Sequence, residues 1–219
     1  MFDGEFASLK AIEETKTIRV PKPHGVFKNG SEFLIVMEHL DLSYSSTQVE
    51  LGTKLAKLHL DNIQKGHNED SSYVSKFGFD IPTCCGSIPQ KNTWTDSWTD
   101  FYTSKLQEQI NLIGQDSEVD KLWPKLREKI PHFFENIEVK PSLLHGDLWS
   151  GNAGSVNSEP VIYDAASFYG HHEYDLGIAG MFGGFSNDFY KAYHSLIPRE
   201  AGFETRHLLY KLFHNLNHW

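Results

Sequence analysis

Two short segments carry oxygen ligands at a spacing that could do chemistry. The first is Leu143-Leu144-His145-Gly146-Asp147-Leu148-Trp149-Ser150-Gly151-Asn152, and the second is Val161-Ile162-Tyr163-Asp164. Phosphoryl transfer asks little covalent work of a protein. It needs a group that positions or deprotonates the acceptor hydroxyl, and ligands for Mg²⁺. Carboxylate and amide oxygens suit that hard cation, with water and phosphate completing its shell. In this scheme Asp147 fits the base, Asn152 a metal ligand and Asp164 a bridging metal ligand. A lone His-Gly-Asp is usually a turn. Asn152, Asp164 and the apolar runs before each segment are what favour function.

Those runs must position the ligands. Residues 141–144 and 160–163 read as short strands, one leading into the His145 loop and the other ending at Asp164. Upstream, residues 5–13 are helical, with Phe6, Leu9 and Ile12 on one face. Residues 24–27 and 33–37 read as antiparallel strands joined at Lys28-Asn29-Gly30-Ser31, where Asn-Gly favours a tight turn. Residues 48–62 form a helix through Leu51, Leu55 and Leu58. Residues 63–93 show little periodicity and read as a long, partly ordered loop, a length that favours a functional role. Helices follow over 96–113 and 117–134, the latter capped by Asp116 or Ser117 and kinked or broken at Pro124. Three more span 173–182, 187–196 and 203–217, with Ser186 or Asn187 capping the middle one. A strand pair followed by a mostly helical remainder is α+β.

Composition narrows the classes. The chain has 219 residues, enough for one large domain or two small ones, and its 39% hydrophobic share, with fifteen Phe and five Trp, can build a core. A net charge of −9 argues against nucleic acid as a partner. The two cysteines, Cys84 and Cys85, are adjacent, which rules out a disulfide framework and a C-x-x-C zinc site. They read as structural or weakly redox-active thiols of a reducing compartment, and the expected location is cytoplasmic. Residues 1–5 lack a basic stretch and an apolar core, so no secretory signal and no membrane association are expected. His59 reads as a core histidine, and Trp94, Trp98, Phe101 and Tyr102 as core rather than a sugar platform. His171-His172-Glu173 with Asp175 reads as capping and packing. A metal hydrolase built there ranks last.

The order Asp147, Asn152, Asp164 resembles the protein-kinase pattern H-R-D-L-x-x-x-N followed by D-F-G. Gly146 in place of Arg, and no Phe-Gly after Asp164, match the aminoglycoside/choline-kinase-like branch instead. Within it the chain resembles the fructosamine/ketosamine 3-kinase (protein-ribulosamine 3-kinase) family. The resemblance runs through Phe77-Gly78-Phe79, Thr83-Cys84-Cys85-Gly86, Pro89-Gln90, residues 145–152, Ser167-Phe168-Tyr169-Gly170-His171, Met181-Phe182-Gly183-Gly184-Phe185, Ala192-Tyr193-His194 and Leu216-Asn217-His218-Trp219.

That resemblance implies a protein-kinase-like fold, with 1–40 a remnant of the N-terminal lobe and 41–219 a helical catalytic lobe. It implies ATP and Mg²⁺ as cofactors, and glycated proteins or small ketosamines as substrates. The γ-phosphate goes to the ketosamine 3-hydroxyl, which destabilises the adduct and deglycates the amine. By the same resemblance Met37, Glu38, His39 and Leu40 form the adenine-binding hinge, and Glu5 pairs with an ATP-orienting Lys. Trp149 stacks on the substrate, and Asp175 and His145 support the catalytic loop. The family's glycine-rich loop and Lys lie upstream of the Glu5 helix, relatives continue past Trp219, and Ala165 stands where they usually have Pro. The expectation is activity much below that of a full-length relative. The alternatives are a kinase for another small hydroxyl compound, aminoglycoside- or choline-like, and a truncated relative that binds without turnover.

Overall fold

The computed structural model describes residues 1–43 and 48–219. Helix α1 (Phe2–Thr15) buries Leu9 and Ile12 and stops where Lys16 turns left-handed, φ 56°, its N–H capping Glu13 O. Strands β1 (Pro23–Asn29) and β2 (Glu32–Met37) pair antiparallel. Asn29 faces Glu32 across the ladder, so Gly30-Ser31 forms the turn, one residue later than Asn-Gly. Gly30 supplies the positive φ of 62° that the tight connection needs.

Helix α2 (Gln48–His67) runs past Asn62, because that side chain is used elsewhere. Its amide donates to Val74 O at 2.8 Å and Pro141 O at 2.7 Å, and its oxygen accepts from Val74 N at 2.9 Å. The buried Asn62 thus pins the segment read as a loose loop. That segment also holds a hairpin, β3 (Thr83–Cys85) and β4 (Ile88–Gln90). Three-residue strands containing proline leave no alternation for periodicity to detect.

Helix α3 (Trp98–Ile113) starts after Ser97, whose hydroxyl accepts from Asp100 N at 3.2 Å, two residues later than its expected start. Helix α4 (Ser117–Lys129) is capped by Asp116, which accepts from Glu118 N and Val119 N. It continues through Pro124, on the exposed face, and tightens to a 3₁₀ turn only at Ile130–Phe134. Strands β5 (Ser142–Leu143), β6 (Ala153–Val156), β7 (Glu159–Ile162) and β8 (Tyr169–Gly170) pair as β5–β8 and β6–β7. The two strands expected to flank the site therefore do not pair with each other. Helices α5 (Glu173–Ala179), α6 (Asn187–Leu196) and α7 (Phe203–Asn217) complete the chain, α5 ending three residues short of expectation. The mixture of hairpins and helices is α+β.

Two apolar clusters flank the His145 loop. One joins Leu9, Ile12, Leu51, Leu55, Ile162, Phe189 and Tyr193, on both sides of residue 40. Here α2 and α6 touch closely: a Cβ on Gly52 would lie 2.2 Å from Phe189 O. The other joins Trp98, Phe101, Tyr102, Phe168, Tyr174, Tyr210 and Phe213. Trp94 is only half-buried and donates to Asp80 at 3.2 Å, so it departs from the core reading that Trp98, Phe101 and Tyr102 meet. Leu143 and Leu148 belong to the first cluster and Leu144 to the second. The loop is thereby clamped between both cores. No described helix is long and apolar enough to cross a membrane.

Candidate active site

The loop begins with a reversal that only glycine makes easily. Gly146 has φ 86°, and a Cβ there would lie 2.1 Å from Ala166 O. This excludes the arginine of protein kinases. Gly146→Ala is expected to lower stability by about 2–4 kcal/mol and to depress activity, read by thermal unfolding and by rate.

Asp175, third residue of α5 and fully buried, holds the reversal. Its carboxylate accepts from His145 N and Gly146 N, each at 2.8 Å, and from His59 Nε2 at 3.0 Å. Burial alone would raise this carboxyl. The hydrogen bond and charge of His59, with the neighbouring His145 and Gly146, hold it below the usual range. His59 Nδ1 in turn hydrogen-bonds the Tyr193 hydroxyl at 2.7 Å, so this core histidine supports the loop at one remove. The His145 ring lies against Tyr163 O at 3.0 Å. A carbonyl only accepts, so Nε2 carries the proton and Nδ1 receives the Asp147 N–H at 3.3 Å. Burial lowers the His145 pKa and keeps the ring neutral.

The far end is locked as well. Asn152 Nδ2 donates to Asp147 O at 3.0 Å, which leaves Oδ1 as the atom that could ligate a metal. The Tyr163 hydroxyl donates to Gly151 O at 2.7 Å, and Tyr163 N to Asn152 O at 3.1 Å. Asp164 follows, exposed and left-handed at φ 59°. Asp147, Asp164 and Glu5 converge. Burial and then the Asp164 charge push the Asp147 carboxyl up to about 6, and the same two causes raise Glu5. No cation pairs with Glu5 among the described residues. Such a mutually repelling set of oxygens fits a divalent cation at Asn152 and Asp164.

The residues expected to form the hinge, 37–40, lie at and just beyond the end of β2. Glu38 pairs with Arg19 at 3.0 Å and donates its N–H to Lys22 O at 2.8 Å, while His39 is exposed beside Asp41. Two backbone bonds between Ser43 and Ser155, at 2.8 and 2.7 Å, tie the chain beyond the hinge to β6. Arg19 O accepts from Ile162 N at 3.0 Å, which ties the segment before β1 to β7.

Asp147 and Trp149 open on a cavity of about 440 Å³, walled also by Cys85, Phe182, Asn217 and His218. Trp149 meets the Phe182 edge at 5.5 Å, and Phe182 meets His218 at 5.5 Å. The Cys85 thiol lies beside the Asp147 carboxylate; burial first, then that carboxylate, push its pKa well up. Behind it Lys105 is buried against Gln90 and over the Phe168 ring at 4.2 Å, and burial brings it down to about 7. Cys85, Phe182 and His218 lie in segments that carry the family resemblance, but neither residue type nor spacing marked them as site residues, and the length of the 63–93 segment hinted only at Cys85. At His171 the ring bonds the Tyr210 hydroxyl at 2.7 Å, and Glu173 is held by Arg206 at 2.7 and 2.8 Å, which favours packing over a metal.

The fold and this loop define a class. The architecture is shared with aminoglycoside phosphotransferase APH(4)-Ia, with a TM-score of 0.60 and 14% identity over 98% of this chain and 73% of that one. The class is therefore the kinase-like phosphotransferase fold. The fructosamine kinase family model matches residues 1–219, and the chain belongs to that family. It is 50% identical to ketosamine-3-kinase of Mus musculus, over 100% of this chain and 77% of that protein. It is 43% identical to the chloroplastic protein-ribulosamine 3-kinase of Arabidopsis thaliana, over 100% of this chain and 66% of the relative. A Haemophilus somnus structure assigned to fructosamine-3-kinase superposes with a TM-score of 0.82 at 26% identity, over 99% of this chain and 71% of that one. Membership in a kinase family implies use of ATP.

Proposed function

We propose that this chain transfers the γ-phosphate of ATP to the 3-hydroxyl of ketosamines, free or on glycated proteins, and so promotes deglycation. One observation carries the reading: a raised Asp147 carboxyl opens on a cavity walled by Trp149, Phe182 and His218. Aromatic faces with a few polar groups suit a sugar-derived substrate.

In this reading an Asp147 oxygen receives the hydroxyl proton, and Trp149 holds the sugar. Asp175 and His145 keep the loop in register. Asn152 Oδ1 and Asp164 would hold Mg²⁺, which supplies charge neutralisation on the phosphates. The backbone of residues 37–40 (Met37, Glu38, His39, Leu40) would hold adenine, with residues 1–40 as N-lobe and 41–219 as catalytic lobe. Glu5, a carboxylate without a cation, is suited to a lysine that orients the nucleotide. Both cysteines are free thiols, which supports a cytoplasmic setting. The acidic surface makes nucleic acid a poor partner.

Release of ADP should depend on a ribulosamine or fructosamine acceptor, with phosphate on its 3-oxygen by ³¹P spectroscopy. Equal or faster turnover of an aminoglycoside or choline would sink the substrate assignment.

A further inference from the structure

We propose that Cys85, Asp147 and His214 form an inhibitory Zn²⁺ site on the wall of the substrate cavity. The Cys85 sulfur, an Asp147 carboxylate oxygen and a His214 ring nitrogen all lie within 4.8 Å of one another. They come from three separate elements: β3, the catalytic loop and α7. Cys85 is 2% exposed and His214 fully buried.

His214 is the observation that points to a ligand. Both of its ring nitrogens are buried without a hydrogen-bond partner among the described residues. An unsatisfied buried polar group costs about 1–3 kcal/mol, so such an imidazole calls for an explanation. The ring sits against Tyr174 and Phe213, with centroids at 5.2 and 5.1 Å, and no hydrogen bond joins it to the Tyr174 hydroxyl, itself unpartnered among the described residues. A neutral imidazole presents one lone pair, and here burial favours the neutral form.

The donor set selects the metal. One sulfur, one nitrogen and one oxygen match Zn²⁺, whereas Mg²⁺ takes oxygen alone. Zinc bonds of about 2.0–2.3 Å require the three atoms to close by roughly 1 Å. Asn217 already docks α7 on β3, donating to Cys85 O at 3.4 Å and Cys85 Sγ at 3.6 Å. Cys85 and Asp147 both line the cavity, so a fourth ligand would reach the ion from that side. Cys84, on the other face of β3 and only half-buried, stays outside the cluster.

On binding, the Cys85 S–H gives its proton to solvent, the thiolate bonds zinc, and Asp147 donates a lone pair to the metal. That oxygen can no longer receive the substrate proton, and a zinc-bound water occupies sugar space. Inhibition is therefore competitive with the ketosamine and separate from Asn152 and Asp164. This inhibition arm rests on the proposed function; the binding arm does not.

The experiment uses metal-free protein and Zn²⁺ in equilibrium dialysis, then Co²⁺ as a spectroscopic substitute. With excess Mg²⁺ present to fill the site at Asn152 and Asp164, one equivalent should bind, and cobalt should show a near-ultraviolet thiolate charge-transfer band. Cys85→Ser should abolish the band, and both Cys85→Ser and His214→Gln should weaken zinc at least tenfold. Cys84→Ser should change neither. Should His214→Gln not fold, the Cys85→Ser arm and the cobalt band decide alone. In rate assays, added ketosamine should relieve zinc inhibition at fixed Mg·ATP. No bound zinc, unchanged binding in Cys85→Ser, a missing thiolate band, or relief by Mg·ATP alone overturns the site. If the protein phosphorylates no ketosamine, dialysis and the cobalt spectrum still decide it.

Discussion

Asp147→Asn should lower kcat by about 10²–10⁴ while making the ligand-free protein more stable at neutral pH. The amide keeps the size of the carboxyl and its place beside the Cys85 thiol, but it cannot take a proton from a substrate hydroxyl. The stability gain follows from the carboxyl's surroundings. Its pKa stands at about 6 in the folded protein, raised first by burial and then by Asp164, against about 4 when unfolded. The folded state thus prefers the protonated form. The resulting penalty is full above pH 6, shrinks as pH falls through that value and is gone below about pH 4. Removing the charge should therefore stabilise the protein by on the order of 1–3 kcal/mol at pH 7, with no gain near pH 4. Chemical denaturation of both proteins across that range reads this directly. The same titration predicts that kcat/KM of the parent protein declines as pH drops below about 6. An Asn variant with parental turnover would remove Asp147 from the base role.

Asp175→Ala should be the most destabilising change in the site, costing about 3–5 kcal/mol, with activity lost alongside. The carboxylate is fully buried and receives two backbone N–H groups and a histidine. Truncation strands three donors in the interior, between the two apolar clusters. Asn is no remedy, because its NH₂ would face an N–H. Here the sign with pH is opposite to that of Asp147. The folded pKa lies below the unfolded one, so this stabilisation is present above about pH 4 and is lost as pH falls through the folded value. The gap between parent and variant should narrow in acid. Urea unfolding at pH 7 and pH 3 tests it; an unchanged midpoint at pH 7 would show that the loop is held by something else.

These two aspartates also mark the line between local and tertiary information. Asp147, Asn152 and Asp164 could be singled out because their roles depend on residue type and spacing along one stretch of chain. The α6 and α7 boundaries were legible for a similar reason, since a helix repeats its apolar face within a few turns. The short strands were not. β5 and β8 are two residues each, and their backbone bonds join positions far apart in sequence without regard to side-chain pattern. Nor does the break expected at Pro124 occur, because that residue sits on an exposed face of α4 and the helix runs through it to Lys129.

What the sequence alone determined was the candidate chemistry: the aspartate proposed as base, the two oxygen ligands proposed for the metal and the glycine that turns the chain between them. What only the tertiary structure decided was the surroundings of that base. The Cys85 thiol on Asp147, the unpartnered His214 behind it and the Phe182 wall arrive from a hairpin, a helix and a loop distant along the chain. Their meeting depends on the packing of two cores around one loop, and no periodicity within any single segment encodes it.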